Sequence, residues 1–271
     1  MTVAKFTPFL KWTGGKTWQA PKLAEMYEPY RDTHTWVETF CGGLGATLGV
    51  MPKRAILSDS NSHLINLYQQ IDNGMSNDIC SNTANEDNLW ANNQHNFNRI
   101  RESFNKSPFT NRFNAQAFYY LNRVGYRGLC RTNASGGFNT PYGHYKKPKL
   151  DHDFSIYRKT FADWDFFNFG YETALSLSKE HIRPTFIYAD PPYDGGFTGY
   201  SGAFEWDDQV NLAEMLGALN CPVVASNKAT DRIINVYKSL GFAIEYIEAP
   251  RRIACNGDRK PVTEMLATKN I

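Results

Sequence analysis

The chain has 271 residues, of which 42% are hydrophobic and 14% aromatic, so it can bury a large core in one α/β domain or in one domain that carries an insertion. It contains no apolar run of about 18 residues and no signal peptide, so we expect a cytoplasmic protein without a membrane span. Its five cysteines are scattered, which argues against a disulfide framework and a bound metal, and its net charge of +2 excludes little.

Short apolar, β-branched and aromatic runs predict six strands, and the patterns between several of them predict helices. In chain order, the strands are predicted over 34–40, 54–58, 185–189, 221–226, 242–248 and 263–268. Helices are predicted over 60–71, 207–219 and 231–240. Strands that alternate with helices indicate an α/β fold with a parallel sheet and helices on its faces.

The alternation breaks between about residues 73 and 150, where we predict an inserted subdomain with helices over 89–104 and 111–124. No Asp or Glu occurs between Ser103 and Leu150, whereas eight Lys or Arg do, with aromatic residues among them. The rest of the chain has 21 basic and 27 acidic residues. The basic stretch therefore predicts a surface for a polyanion, and its aromatic residues favour nucleic acid. A surface that only promotes solubility is the simpler alternative.

A glycine-rich turn after an apolar strand gives the first sign of a ligand. In WVETFCGGLGATL, residues 36–48, Gly42, Gly43 and Gly45 precede a helix, where backbone N–H groups can meet a ligand. The next strand is followed by Asp59, whose carboxylate can accept hydrogen bonds from ribose hydroxyls. Together these features favour a nucleoside-containing cofactor, while the glycines alone fit a purely structural turn equally well.

Two shorter motifs carry side chains suited to a site. FLKWTGGK, residues 9–16, places Trp12 before a glycine pair that directs Lys16 toward its neighbours, although an entry helix with a glycine cap fits the same letters. YADPPYDG, residues 188–195, ends a buried strand on Asp190 and stiffens the next turn with Pro191 and Pro192, because proline cannot donate to a sheet. Alone, the second motif fits a strand-ending turn.

Taken in order, these motifs resemble the Dam-type, α-group adenine-N6 DNA methyltransferases. Three further segments carry the resemblance: ILSDSNSHLINLYQQI (56–71), FYYLNRVGYRGLCRTNASGGFNTPYGHYKKP (118–148) and FTGYSGAFEWDDQVNLAEML (197–216). The resemblance implies a Rossmann-like sheet that binds S-adenosylmethionine, formed by residues 1–72 and 151–271. It also implies a mostly helical DNA-recognition insertion over 73–150 that carries a β-hairpin, and an adenine flipped out of duplex DNA.

The same resemblance assigns roles at the carboxyl edge of the sheet. The Asp190 carboxylate and the Pro191 carbonyl are expected to accept the two amino hydrogens of the target adenine, Pro192 to stiffen the turn, and Tyr193 to stack on the base. The expected cofactor contacts are Trp12, Lys16 (to the methionine carboxylate), Phe40, Gly42, Gly43, Asp59 (to the ribose) and Asp190. Many relatives carry Gly-Asp-Phe where this chain has Gly170-Tyr171-Glu172, so Glu172 or a backbone group would replace the contact to the cofactor's adenine.

The recognition hairpin is expected to turn at Ser135-Gly136-Gly137 and to enter the major groove, where Arg can bind guanine and Asn adenine. Arg131 is the leading base-contacting residue, Lys11 is a second candidate for a guanine, and Tyr145 would wedge into the space that the flipped base leaves. The remaining DNA contacts are expected at Tyr126, Arg127, Asn139, His144, Lys146 and Lys147, with the two lysines on phosphates. The family usually modifies the adenine of GATC, and we expect the same target here.

Other classes of protein share some of these residues. A nicotinamide-dependent dehydrogenase would use the glycine turn, but it would need neither the basic stretch nor Asp-Pro-Pro-Tyr. A noncatalytic DNA-binding protein would use the basic stretch, but it would have no use for the cofactor residues. Cytosine-N4 methyltransferases usually carry Ser where Asp190 stands. An adenine-N6 RNA methyltransferase would meet a flipped base of the same shape. We expect a monomer without an obligate protein partner that acts in the cytoplasm on nucleoid or phage DNA.

Overall fold

The fold is built on one mixed sheet, seen in a computed structural model that describes residues 6–77, 88–107, 111–133, 137–194, 204–250 and 262–271. The strands of these residues are β1 (Thr35–Glu38), β2 (Ala55–Ser58), β3 (Trp164–Phe167), β4 (Thr185–Ala189), β5 (Val223–Lys228), β6 (Ala243–Ala249) and β7 (Val262–Lys269). Their order in the sheet is β3-β2-β1-β4-β5-β7-β6. Strands β1 to β5 are parallel, whereas β7 is antiparallel to β5 and β6 on either side.

Helices cover the sheet and fill the segment between β2 and β3. Those of the described residues are α1 (Ala20–Tyr27), α2 (Thr47–Val50), α3 (Ser62–Asp72), α4 (Gln94–Lys106), α5 (Arg112–Val124), α6 (Phe154–Phe161), α7 (Tyr171–Lys179), α8 (Trp206–Gly217) and α9 (Asp231–Ser239). Asparagines Asn61, Asn93 and Asn111 fix the starts of α3, α4 and α5, because each side chain accepts a hydrogen bond from the backbone N–H three residues later. Within the described ranges, no helix has the length and apolarity that a membrane crossing needs.

The predicted strands are all present, with ends that differ by at most two residues. The prediction of a parallel sheet is wrong for β7, which runs antiparallel to both of its neighbours, since the sequence has no helical pattern between β6 and β7 and a parallel connection needs a crossover. The short edge strand β3 and the helices α1, α6 and α7 were not predicted. The pattern for α6 is nevertheless visible, because its buried residues Phe154, Tyr157 and Phe161 recur on one helical face.

Buried side chains form two clusters, one on each face of the sheet, as alternate strand residues point to opposite faces. On β1, Trp36 belongs to the first cluster and Val37 to the second. The first cluster also contains Phe97 and Tyr120 of α4 and α5, so these helices share the core of the sheet. The division of the chain into domains at 72/73 and 150/151 stays a prediction.

The predicted hairpin is held by antiparallel pairing rather than by long strands. Isolated bridges join Thr132 to Phe138 and Gly125 to Tyr142. The backbone N–H of Asn139 donates to the Arg131 carbonyl at 2.9 Å, which keeps the two arms in register. The predicted turn at Ser135-Gly136-Gly137 lies largely outside the described residues, as only Gly137 is described.

Candidate active site

The predicted cofactor and catalytic residues meet at the carboxyl ends of β1 and β4. The sheet order reverses direction between these two strands, and such a switch point opens a crevice for a ligand. Glu38 pairs with Tyr188 across the two strands, so the glycine turn after β1 lies beside Asp190, which follows β4 directly. The topology therefore collects at one edge motifs that stand far apart in the sequence.

The glycine turn is in close contact with the indole of Trp12. A Cβ atom on Gly43 would lie 2.6 Å from the Trp12 Cβ, and one on Gly42 would lie 2.7 Å from the indole Nε1. Gly42 also has a φ of +44°, a backbone conformation that favours glycine. The carbonyl of Gly42 accepts a hydrogen bond from the Tyr68 hydroxyl at 2.6 Å. The two glycines are thus required by the position of Trp12, which forms one wall of the crevice.

Asp59, which follows β2, is fixed by backbone donors on both carboxylate oxygens. The N–H of Gly42 donates to Oδ2 at 3.0 Å, and the N–H of Asn61 donates to Oδ1 at 2.9 Å. Burial raises the pKa of Asp59, while these two hydrogen bonds lower it. The carboxylate therefore ties the glycine turn to the start of α3 and stands at the same edge as Asp190.

Phe40 lies beside the start of α7, at Gly170-Tyr171-Glu172. Its ring stacks on Tyr171 with centroids 5.8 Å apart, and it meets the edge of Phe204 at 5.7 Å. The Glu172 carboxylate folds back toward the helix start, since a Cβ on Gly170 would lie 3.0 Å from its Oε2. An aromatic surface and an acid therefore stand next to each other here, and the contact of Glu172 to the cofactor's adenine stays a prediction.

Asp190 belongs to a cluster of buried charges that the motifs alone do not reveal. The Lys16 ammonium lies 3.0 Å from Asp190 Oδ1 and 3.8 Å from Glu264 Oε2. The Tyr193 hydroxyl donates to the same Glu264 oxygen at 2.6 Å, and its ring centroid is 4.6 Å from the Lys16 Nζ. Burial raises the pKa of Asp190 to about 6, against the lowering effect of Lys16. Near neutral pH, Asp190 is thus a carboxylate in contact with a cation.

The Asp-Pro-Pro-Tyr turn is fixed by side chains from two other elements. Gln209 of α8 donates to the Pro192 carbonyl at 2.7 Å, and Asn227 of β5 donates to Gln209 at 2.9 Å. Within the described part of the chain, the Pro191 carbonyl accepts no hydrogen bond. The Lys16 ammonium pairs with Asp190 Oδ1 at 3.0 Å, and a carboxylate with its two oxygens can accept further hydrogen bonds beside this contact. Two acceptors with free capacity therefore stand on one rigid turn.

Sequence reasoning missed several side chains of this edge, above all Glu264 and Glu38. Glu264 is an acid within the predicted strand 263–268, a signal that could have marked it. Glu38 ends β1 and accepts hydrogen bonds from Thr47 and, at 3.3 Å, from the indole of Trp36. Burial raises its pKa to about 8, and both hydrogen bonds lower it. Within the described ranges, no three acids, histidines or cysteines are grouped as a metal site would need.

The predicted DNA-contacting residues lie around the hairpin. The Lys11 ammonium donates to the Arg123 carbonyl at 2.9 Å and stands 3.7 Å from the ring centroid of Tyr145. Burial and the nearby Arg123 lower the pKa of Lys11 to about 8. The Tyr145 hydroxyl accepts a hydrogen bond from the Arg127 N–H at 3.0 Å. The exposed members of the set are Tyr126, Arg127, Arg131, Asn139, His144, Lys146 and Lys147.

Asn122 of α5, which sequence reasoning also missed, joins the hairpin to the segment that carries Trp12. Its side-chain oxygen accepts from the Lys11 N–H at 2.9 Å, and its amide nitrogen donates to the Lys11 carbonyl at 2.7 Å. The same nitrogen lies 3.2 Å from the Gly128 carbonyl in the hairpin. Asn122 is fully buried, so these hydrogen bonds do not compete with water. The backbone on either side of Lys11 is therefore held by the insertion.

The sheet has a Rossmann-like strand order, with its crevice at the switch point between β1 and β4. A solved S-adenosylmethionine-dependent methyltransferase from Agrobacterium tumefaciens is similar over 94% of this chain and 61% of its own, at 8% identity and a TM-score of 0.42. The family model described as D12 class N6 adenine-specific DNA methyltransferase matches residues 12–253. The chain belongs to this family.

Curated relatives agree with the family match. The Retron Ec67 DNA adenine methylase of Escherichia coli is 36% identical over 95% of this chain and 90% of its own length. The DNA adenine methylases of Escherichia coli K12 and of Vibrio cholerae O395 are 34% and 32% identical, each over 96% of this chain and 94% of their own. The predicted family, fold class, enzyme activity and cofactor are confirmed. Because the family acts on adenine N6 in DNA, the dehydrogenase, cytosine-N4, RNA and noncatalytic alternatives are not supported.

Replacing Gly43 by alanine should weaken the binding of S-adenosylmethionine by about 10-fold. The added methyl group would overlap Trp12, and such overpacking costs about 1–3 kcal/mol, which here falls on a wall of the crevice. Isothermal titration with S-adenosylhomocysteine measures the effect. The matched control is Gly217→Ala, which adds a methyl group against Leu240 at the C-terminal end of α8 and should leave affinity unchanged. Equal affinity in the wild type and Gly43→Ala would place the cofactor elsewhere.

Proposed function

We propose that this adenine-N6 DNA methyltransferase acts on the adenine of GATC in duplex DNA, after that base has rotated out of the helix. The observation that carries the proposal is the pair of acceptors, the Asp190 carboxylate next to Lys16 and the Pro191 carbonyl, on a rigid turn at the same edge of the sheet as Trp12 and Asp59. An amino group inside a base pair cannot reach such a turn, so the base must leave the stack. The names of the relatives, DNA adenine methylase, fit this target.

The two acceptors address the weak nucleophilicity of adenine N6. Its lone pair is delocalised into the ring, and it becomes available only when the nitrogen turns tetrahedral. Hydrogen bonds from the two amino hydrogens to Asp190 and to the Pro191 carbonyl hold that geometry. The negative charge of Asp190 also stabilises the positive charge that develops on N6. The surplus proton leaves to water after the transfer, so the step needs no separate general base.

The residues of the crevice fit S-adenosylmethionine, which supplies a methyl group on a positively charged sulfur. The indole face of Trp12 suits a cation, and the glycine turn brings backbone close to it. The Asp59 carboxylate is placed to hold the ribose hydroxyls. Phe40 with Tyr171 offers an aromatic surface for the adenine ring. Lys16 is the group that we assign to the methionine carboxylate, next to its contact with Asp190.

The hairpin and the N-terminal segment form the proposed DNA surface. Arg131 is exposed on the first arm of the hairpin, and its guanidinium has donors that match the major-groove edge of guanine. Lys11, held between Arg123 and Tyr145, is the second base-contacting candidate. Tyr145 fills the space of the flipped base in this proposal. The flanking contacts go to Tyr126, Arg127, Asn139 and His144, and the phosphates to Lys146 and Lys147.

A methyl-transfer assay on defined duplexes tests the proposal. Labelled methyl groups should enter a duplex with one GATC site and appear as N6-methyladenine after digestion to nucleosides. A duplex in which that site reads GTTC serves as control and should stay unlabelled. A treated plasmid should also become resistant to a nuclease that cuts unmethylated GATC and sensitive to one that requires its methylation. Label at adenines outside GATC would overturn the proposed target.

The proposal also states that the protein acts as a monomer, and that it acts in the cytoplasm on nucleoid or phage DNA. It is supported by the sequence, because one copy of the chain contains every motif to which the proposal assigns a role. Sedimentation of the protein with and without a GATC duplex measures the number of chains on each site. Two chains on one duplex site would contradict a monomer.

A further inference from the structure

We propose that Glu264 of β7 is a positioning residue that holds Lys16 and Tyr193 in place while Asp190 binds the target adenine. The inference rests on the proposed role of Asp190 as an acceptor and adds a residue that the sequence motifs do not contain. Glu264 stands 74 positions after Asp190 and reaches the crevice only because β7 lies next to β5 in the sheet. Its register opposite Lys228 fixes its distance from the turn.

Lys16 is a buried ammonium with two carboxylate neighbours. Its side chain is 6% exposed, and its nitrogen lies 3.0 Å from Asp190 and 3.8 Å from Glu264. A buried charge without a partner is costly, so an ammonium at this place needs an anion at all times. When the adenine amino group occupies Asp190, Glu264 is the protein carboxylate that stays beside Lys16, in addition to the methionine carboxylate that we assign to it. Glu264 therefore allows Asp190 to exchange its contact with a cation for a contact with the base.

Tyr193 depends on the same carboxylate. Its hydroxyl donates to Glu264 Oε2 at 2.6 Å, while its ring faces the Lys16 ammonium with the centroid 4.6 Å away. A ring that stacks on a flipped base must keep a fixed tilt, because stacking requires parallel faces. The hydrogen bond to Glu264 sets that tilt from the far end of the ring. One acid thus orients both the cation and the aromatic ring beside Asp190.

The charges around Asp190 make this role measurable through pH. Lys16, Glu264, Tyr193, Tyr188 and Glu38 face the carboxylate, from the N-terminal segment, β7, the turn itself, β4 and β1. Burial raises the pKa of Asp190, Lys16 lowers it and the negative charge of Glu264 raises it. Removing that charge should therefore lower the pKa of Asp190 and leave Lys16 bound to Asp190 alone. The turnover number should therefore fall, and the pH at which activity is lost on the acid side of the profile should become lower.

The test is the pH profile of turnover for Glu264→Gln in the full-length protein on a saturating GATC duplex, between about pH 5 and 9. We expect the plateau turnover number to fall about 10-fold, as displaced catalytic groups lose rate steeply. We expect the acid limb to shift to lower pH and the affinity for S-adenosylmethionine to stay within about twofold. Glu264→Asp keeps the charge on a shorter arm, so its acid limb should stay at the wild-type position.

The matched control is Glu245→Gln on the neighbouring strand β6, where an exposed acid pairs with Lys22 at 3.3 Å. This variant should match the wild type in both turnover and pH profile. An unchanged plateau in Glu264→Gln overturns the inference, and so does a lower plateau with an unmoved acid limb, which marks a structural role. If Glu264→Gln does not fold, Glu264→Asp decides by its own criteria: a lower plateau with the acid limb at the wild-type position and unchanged affinity for S-adenosylmethionine supports the inference, and an unchanged plateau overturns it. These outcomes can be told apart from a failure of the proposed function. If the proposed function were wrong, a variant without the Asp190 carboxylate would keep its methyl-transfer activity.

Discussion

Replacing Asp190 by alanine should lower the turnover number by at least about 10³-fold while the protein still binds duplex DNA. The carboxylate is one of the two acceptors that hold the adenine amino group, and it is the one that carries charge. Removing a single preorganised electrostatic group of this kind costs about 10²–10³-fold in rate, and Asp190 in addition pairs with the buried Lys16. Single-turnover methyl transfer to a GATC duplex measures the loss, and an electrophoretic shift assay measures DNA binding.

The control for this prediction is Asp207→Asn, which removes an exposed acid at the start of α8, outside the crevice. It should keep full activity. Thermal unfolding of both variants checks that the folded fraction is the same. Turnover in Asp190→Ala within 10-fold of the wild type would refute the acceptor role, and with it the mechanism. Loss of DNA binding together with turnover would instead mean that Asp190 supports the surface rather than the chemistry.

Replacing Arg131 by alanine should relax discrimination at one base pair of the target by about 1–3 kcal/mol, which is about 5- to 150-fold. The guanidinium is exposed, and its backbone is fixed by hydrogen bonds to Thr140 and Asn139 in the opposite arm. Because the backbone of this arm is fixed, the guanidinium would reach the same base pair each time the protein binds its target. The ratio of kcat/KM for GATC to kcat/KM for duplexes with one changed base pair measures the effect at each position.

Lys147→Ala is the matched control for Arg131, because it removes an exposed cation that we assign to a phosphate. It should weaken binding evenly across all sequences and reduce the salt dependence by about one counterion. Arg131→Ala should leave the salt dependence nearly unchanged. An even loss across all duplexes in the Arg131 variant would assign its guanidinium to the phosphate backbone and leave Lys11 as the base-contacting candidate.

The sheet was predictable because its strands are short apolar runs between clear helical patterns. The strand at 185–189 was placed correctly since it is buried on both faces and ends at two prolines. The strand β3 was missed because it lies at the edge with an exposed acid, Asp165, inside a stretch of only four residues. The antiparallel direction of β7 depends on its insertion between β5 and β6, which local patterns do not encode.

The candidate site was predictable where each motif carries its own chemistry, as for the glycine turn and Asp190. The partners of these residues were not predictable, because they come from distant elements. Lys16 was expected to face a ligand, and its neighbours in the structure are Asp190 and Glu264. The hydrogen bond of Gln209 to the Pro192 carbonyl joins α8 to the turn, and no pattern of spacing connects these two positions.

The double hydrogen bond of Asn122 to the backbone of Lys11 bears on any redesign of the target sequence. The amino acids that select the bases do not form a single exchangeable cassette, since Lys11 lies more than a hundred positions before the hairpin and is anchored to it by α5. A chimaera that receives only the hairpin of a relative keeps the native Lys11 and Asn122. Asn122 also contacts the hairpin at the Gly128 carbonyl, so its hydrogen bonds would then meet an unmatched hairpin. Transplanting a new preference therefore requires the N-terminal segment, Asn122 and the hairpin together.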